Sequence, residues 1–285
     1  MKTLLLLTDF SPTANHAVGY GYDFAKLLEA EVILCNVINV PAEIPQYETI
    51  LLPFGNYDLI EEESIEELKR LKKHLEHHDH GKGFHPPVSY ACKTGVMTDQ
   101  IDNIVSKRHI NLIIMGTHAS SGLKHLLLGN HTRYLLDTAA VPLLLVSPKE
   151  KLTQIKWIAF ATDLNTDEIP TINKLAKLAS LLKAEIILMN ICHEDPSREK
   201  DMQQQQFLSL VKKECHYPMI SCQSAVDKSI VKGLEKLCNN SGKDGLLSVI
   251  HKNRNFINEI LLGSQTQKLA KRLVLPLLVL PPNIN

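Results

Sequence analysis

Short unbroken apolar runs alternate along the chain with longer stretches whose apolar residues recur every three or four positions. Residues 4–7, all leucine, make the first run. A run this short and apolar at every position predicts a parallel strand covered on both faces. It stops at Thr8-Asp9-Phe10-Ser11-Pro12. Ser11 can cap a helix there and Pro12 suits its first turn, so a helix is predicted to about residue 29. Strands are predicted at 32–37, 88–93, 112–115 and 141–146. Further helices are predicted over 58–78, where Ile60, Ile65, Leu68, Leu71 and Leu75 form one stripe, over 98–107 and over 131–138. The proline-bearing residues 41–56 read as a loop or excursion, and His80-Gly81-Lys82-Gly83 as a turn. Strands alternating with helices predict right-handed βαβ units and a doubly wound α/β sheet.

The pattern then runs a second time. Residues 4–39 align without a gap on 158–193. Thr8-Asp9 falls on Thr162-Asp163, and Leu27-Leu28-x-Ala30-Glu31-x-Ile33-Leu34-x-Asn36 on Leu181-Leu182-x-Ala184-Glu185-x-Ile187-Leu188-x-Asn190. Leu127-Leu128-Gly129 meets Leu261-Leu262-Gly263, and Pro142-Leu143-Leu144 meets Pro276-Leu277-Leu278. The second set of strands is predicted at 158–161, 185–190, 219–224, 246–250 and 277–280. A period this long is a duplicated domain rather than a solenoid unit. Two tandem domains of five strands each are expected, 1–148 and 152–285, meeting near Ser147-Pro148-Lys149-Glu150-Lys151. The offset between copies falls from 154 residues at Asp9/Asp163 to 134 at Gly129/Gly263, so the second copy is shorter, mostly opposite the 41–56 excursion. The closing runs 141–146 and 277–280 are apolar, and exposed sheet edges invite pairing.

Charge and cysteine content narrow the function classes. Lys and Arg number 31 against 31 Asp and Glu, which argues against a broad nucleic-acid footprint but not against one small anion site. The six cysteines form no CxxC pair, and Cys35, Cys92 and Cys222 lie inside apolar, strand-like runs. They read as small core residues of a reducing compartment. The N-terminal leucine run is too short for a signal peptide or a membrane span, and the protein is expected in the cytoplasm.

Ligands of doubly wound sheets bind beyond the carboxyl ends of the strands, where strand order reverses. The residues after the first, second and fourth strands are therefore the candidates. After the fourth comes Met115-Gly116-Thr117-His118-Ala119, and then, past a run of small and apolar residues, Gly129-Asn130-His131-Thr132. A small-residue loop that closes on glycine before a helix suits phosphate: glycine lets the backbone approach the anion and the free N–H groups of the helix start point at it. Asp9 can hold a ribose hydroxyl or, through water, a metal ion on the phosphates.

This stretch resembles the universal stress protein family, whose ATP-binding members carry Gly-x-x-Gly, nine residues, then Gly-Ser/Thr. Here the pattern reads Gly116-x-x-Ala119, nine residues, Gly129-Asn130, with Thr8-Asp9-Phe10-Ser11 after the first strand, Val37 after the second and Pro142-Leu143-Leu144-Leu145-Val146 at the close. The resemblance covers the whole chain as a tandem of two such domains. It implies an adenine-nucleotide α-hydrolase-like fold with the two halves paired as an intrachain pseudo-dimer, and it leaves a further homodimer open. It also implies ATP, with Mg2+, in the first domain. Leu7, Thr8 and Asp9 would line the nucleoside pocket, and Val37 would offer backbone hydrogen bonds to adenine. Met115, Gly116, His118 and Ala119 would wrap the ribose and phosphates, and Gly129, Asn130, His131 and Thr132 would hold the phosphate tail.

Ala119 stands where the family pattern has glycine, at a cost of roughly 1 kcal/mol if that position needs positive φ. Asn130 stands where a Ser or Thr hydroxyl would donate to phosphate, a bond worth about 1.5–3 kcal/mol. In the second copy Ile250 and Asn253 replace both early glycines, while Gly263-Ser264 and Thr162-Asp163 remain. The β-branched Ile250 is expected to block close backbone approach, so that half is not expected to bind ATP in the same way.

Neither copy contains GxxxxGK[ST] or another nucleotidyl-transfer motif, and no catalytic residue is assigned. Three readings stand: a regulatory, stress-response module that binds ATP; a scaffold acting through protein partners; and a weak ATPase using Asp9 with Mg2+ and His118 or His131. His74, His77, His78, His80 and His85 gather near one helix end. No acidic or cysteine ligand is placed by spacing there, so the cluster reads as a solvated polar face rather than a metal site. Lys69, Arg70, Lys72 and Lys73 follow five glutamates on the same helix and read as a charged surface.

Overall fold

The leucines of the first apolar run become the middle of a sheet. The computed structural model describes residues 2–39, 56–80, 83–117, 135, 140–148, 150, 152, 154–193, 198–251 and 275–281, and the chain divides into two compact units. In the first unit the strands are β1 (Lys2–Leu7), β2 (Ala30–Asn39), β3 (Val88–Gly95) and β4 (Leu112–Gly116). They are ordered β3-β2-β1-β4 and all parallel. Leu5 lies level with Ile33 of β2 and Ile113 of β4, and Leu4, Leu5 and Leu6 are buried. Helix α1 (Pro12–Leu28) packs on β1, β2 and β4. Helix α2 (Asn56–His78) and helix α3 (Met97–Arg108) pack on β2 and β3.

The second unit holds β5 (Leu143–Val146), β6 (Trp157–Ala161), β7 (Glu185–Cys192), β8 (Ile220–Val226), β9 (Gly245–Ile250) and β10 (Leu277–Leu280). Its helices are α4 (Ile169–Leu182), α5 (Arg198–Cys215) and α6 (Ile230–Ser241). The strand order is β5-β10-β9-β6-β7-β8. All neighbours are parallel except β5 and β10, the closing strands of the two repeats, which pair antiparallel with Leu278 opposite Leu144. All ten predicted strands are present; the helix predicted at 131–138 and the 41–56 excursion lie, almost entirely, outside the described residues.

Local chemistry sets the helix ends as the sequence implies. Ser11 is extended and its hydroxyl accepts from Ala14 N at 3.2 Å, with Pro12 as the first helical residue. Both α1 and α4 end on a non-glycine residue in the left-handed region, Glu29 at φ 49° and Lys183 at φ 54°.

The far end of α1 is tied to the end of α2 by one carboxylate. The Asp79 side chain is 2% exposed. It accepts from Tyr22 Oη at 2.9 Å, from Lys26 Nζ, and contacts His85 Nδ1 at 2.7 Å. The Lys26 ammonium holds the Asp79 carboxyl well below the usual carboxylate range, helped by His85 and Tyr22 and opposed by burial. On the surface of α2 the charges pair one turn apart, Glu66 with Lys69 and Glu67 with Arg70. Among the described residues no helix is long and apolar enough to cross a membrane.

Candidate functional site

β1 lies between β2 and β4, so strand order reverses around it, and the region beyond its carboxyl end is where ligands of doubly wound sheets lie. Leu7 is level with Cys35 of β2. Thr8 N continues the ladder onto Cys35 O at 2.9 Å, and then β1 stops. Its last carbonyl is held from the side: the buried Asn36 donates from Nδ2 to Thr8 O at 2.8 Å. The backbone turns through Phe10 at φ 63°, an expensive conformation for a residue with a Cβ. Side chains fix it. Thr8 Oγ1 accepts from Phe10 N at 2.9 Å and donates to Asn15 Oδ1 at 3.2 Å, and Asn15 Nδ2 donates to Phe10 O at 3.2 Å. Asp9 is exposed at the rim, with Oδ1 accepting from Ser11 N at 3.0 Å.

Strand parity gives Val37 its place. Backbone groups of alternate residues point to the same edge. Cys35 faces β1, so Val37, two residues on, presents its N–H and C=O to the edge where β1 has ended. From the other side β4 brings Met115 and Gly116. A Cβ built on Gly116 would stand 2.8 Å from Thr13 O and 3.1 Å from its carbonyl carbon. Glycine is therefore required for the first turn of α1 to pack on the end of β4, a reason the motif alone does not reveal. Leu7, Thr8, Asp9, Val37, Met115 and Gly116 thus meet at one end of one sheet. His118, Ala119, Gly129, Asn130, His131 and Thr132 lie outside the described residues.

The second unit repeats the loop with other chemistry. Thr162 N bonds Met189 O at 3.0 Å, Asn190 Nδ2 donates to Thr162 O at 2.9 Å, Leu164 takes φ 64°, and its N–H donates to Thr162 Oγ1 at 2.8 Å. Asp163 Oδ1 accepts from Asn165 N at 3.2 Å. The hydroxyl of Thr162, however, donates to Glu168, the residue aligned with Ala14. Burial pushes the Glu168 carboxyl up to about 7, against the pull of the Thr162 hydroxyl and with the nearby Asp163 adding to the rise. The segment aligned with the first turn of α1 is a 3-10 turn, Thr166–Glu168, before α4. Ile250 ends β9 where Gly116 ends β4. Sequence reasoning missed Glu168, Asn36 and Asn190 as site-shaping residues; the two asparagines were visible in the repeat as polar residues within apolar strands.

Among the described residues no group of three or more His, Cys, Asp or Glu stands close enough to hold a metal ion, and the six cysteines are free thiols.

Residues 1–147 match the model of the universal stress protein family. The chain belongs to that family. It is 30% identical to universal stress protein MJ0577 of Methanocaldococcus jannaschii over 162 residues, which cover 52% of the chain and 96% of that protein. It is also 30% identical to universal stress protein MJ0531 of the same organism over 156 residues, covering 53% and 84%. A universal stress protein of Archaeoglobus fulgidus with a known crystal structure shares the fold along the whole chain. Its TM-score is 0.70 at 16% identity, over 98% of this chain and 96% of that one.

Proposed function

We propose that this universal stress protein is a nucleotide-binding regulatory module that holds ATP in its first repeat and none in its second. The observation that carries the reading is the backbone edge at Val37, directed past the end of β1 and beside the loop Thr8-Asp9. Adenine is recognised by such an edge through one donor and one acceptor of the main chain. Asp9 at the rim has the position to take a ribose hydroxyl or a water of Mg2+. Gly116 leaves the end of β4 without a side chain, and in the sequence Gly129 keeps the family's later glycine, with Asn130 in place of its Ser or Thr before His131 and Thr132. The residues present fit the nucleotide on these grounds.

The second crevice fits it poorly. Asp163 and Glu168 place two carboxyl groups by the loop, and Ile250 adds a branched side chain at the strand end. Asp163 has its counterpart in Asp9, so the difference rests on Ile250 and on the ionised fraction of Glu168, which opposes a polyphosphate. Regulation rather than turnover is the reading because Asp9 already serves the turn, accepting the backbone N–H of Ser11.

The test is to purify the chain without added nucleotide, denature it, and resolve the released small molecules by anion exchange beside AMP, ADP and ATP. One ATP per chain is expected. Two per chain would refute the assignment of the second crevice. ADP or AMP alone would favour the weak ATPase, and Asp9→Ala would then abolish phosphate release. No nucleotide, followed by no heat on titration with Mg-ATP, would favour the scaffold.

A further inference from the structure

Spacing alone leaves the imidazoles at the end of α2 as a solvated face, and the structure supplies the orienting partner that spacing lacks. His74 and His78 lie one turn apart, both exposed, with ring centroids 4.1 Å apart and planes inclined by 41°. His78 Nδ1 stands 2.8 Å from the carbonyl oxygen of His74. A carbonyl only accepts, so Nδ1 carries the proton, and in the neutral ring Nε2 keeps its lone pair outward. This is the outer hydrogen bond that fixes tautomer and orientation in metal-binding histidines. The pair also sits in the last turns of α2, where carbonyls without helical partners give the helix end a partial negative charge that favours a cation.

We propose that His74 and His78 form a two-imidazole site for a divalent transition-metal ion of the Cu2+, Ni2+ or Zn2+ kind, with water completing the coordination. Two nitrogens each about 2.0–2.1 Å from one ion stand roughly 3.3 Å apart at a tetrahedral angle. The rings lie tilted side by side, and both exposed side chains must swing about their χ angles for the two in-plane Nε2 lone pairs to converge on one ion. Imidazole selects these ions over Mg2+ and Ca2+, which take oxygen ligands. With two protein ligands the site is open and exchangeable, suited to sensing an available ion rather than to building the fold. The ion clips the last turn of α2 one residue before Asp79, whose carboxylate ties that helix end to Tyr22 and Lys26 of α1. Metal occupancy therefore stabilises the first unit by mass action.

The test uses the full chain without a histidine tag, titrated calorimetrically with CuCl2, NiCl2 and ZnCl2, and with MgCl2 as the hard-ion control. One saturable site per chain is expected for the transition metals and none for Mg2+. His74→Ala and His78→Ala should each abolish it, while His109→Ala, at the exposed end of α3, leaves it unchanged. The Cu2+ form should show nitrogen hyperfine structure from two imidazoles in its electron paramagnetic resonance spectrum. Loss on only one of the two substitutions would place the ion on a single ring and overturn the paired site. Binding that both substitutions leave intact would move the ion to other ligands and overturn the proposal outright, as would the absence of saturable binding.

Discussion

After β1 and after β6 the chain makes one turn out of two different sets of residues. Thr8 and Thr162 each accept from the backbone two residues on, Phe10 and Leu164 each take the left-handed conformation, and Asn36 and Asn190 each hold the last strand carbonyl. The backbone of the loop is therefore common property of the repeat. What differs is who receives the threonine hydroxyl: a neutral amide, Asn15, in the first unit and an acid, Glu168, in the second. The strand facing the loop differs too, ending in Gly116 in one unit and Ile250 in the other. A duplicated fold keeps the hydrogen bonds that shape its turn and is free to change the groups that turn presents. The shared residues mark architecture, and the divergent ones mark where the two turns present different groups.

The strongest way to break the comparison is to give the first unit the second unit's strand end. Gly116→Ile drives a Cβ into Thr13 O, and overpacking of this kind costs about 1–3 kcal/mol. Retained ATP should fall to zero in the anion-exchange assay. The reverse change, Ile250→Gly, should gain none, because Glu168 remains.

Two carboxyls, one in each unit, should respond to pH in opposite senses. Asp79 has its carboxyl held down by Lys26. A depressed acid stabilises the fold above its unfolded value of about 3.9, and that contribution is lost as pH falls toward the folded value. Asp79→Asn should cost about 1.5–3 kcal/mol at neutral pH and flatten the acid limb, read by amide exchange in β1–β3. Glu168 has its carboxyl raised to about 7. Its contribution is complete below the unfolded value of about 4.3 and is lost as pH rises through about 7. Trp157, the single tryptophan, lies buried in the second unit, so its fluorescence in urea should show a midpoint that declines over that window. Glu168→Gln should reduce the decline, and the remainder belongs to Glu150 of the same unit, whose carboxyl burial also raises to about 7.

Asn36→Ala and Asn190→Ala sharpen the claim of shared architecture. Each leaves a buried carbonyl without its amide donor, worth about 1–3 kcal/mol, and the two losses should agree. A clear inequality would mean that the turns are alike in shape but not in energetics. The smallest effects belong to the helix ends: Glu29→Gly and Lys183→Gly relieve left-handed residues and should each stabilise by about 0.5–1 kcal/mol in thermal melts.

Much of the fold was legible because a buried parallel strand leaves a simple trace. Residues 4–7 and 112–115 are apolar without interruption, 246–250 is broken only by Ser248, and all three became strands within a residue or two. β2 runs to Asn39 and β7 to Cys192, beyond their apolar runs, because pairing with β3 and β8 continues the ladder whatever the side chains are. Site placement followed from topology, which is why Leu7, Thr8, Asp9, Val37, Met115 and Gly116 meet. The pressure of Gly116 on Thr13, the grip of Asn36 on Thr8 and the hub at Asp79 were not legible. Each joins residues far apart in sequence through a single atom, and neither period nor composition records such a contact. Glu66 and Glu67 of α2 likewise take partners three residues on, Lys69 and Arg70, while Glu76 pairs four residues back with Lys72.

The antiparallel seam between β5 and β10 separates two ideas that a repeat invites one to merge. Leu143–Val146 is written at the end of the first copy, yet it completes the second unit by lying against Leu277, Leu278 and Val279. The segment that was duplicated is therefore not the segment that stands as a body. A second copy released at the seam would expose one whole side of β10, an open strand edge of leucine and valine available to any extended chain. The last strand written in the first copy is thus the one that keeps that edge covered.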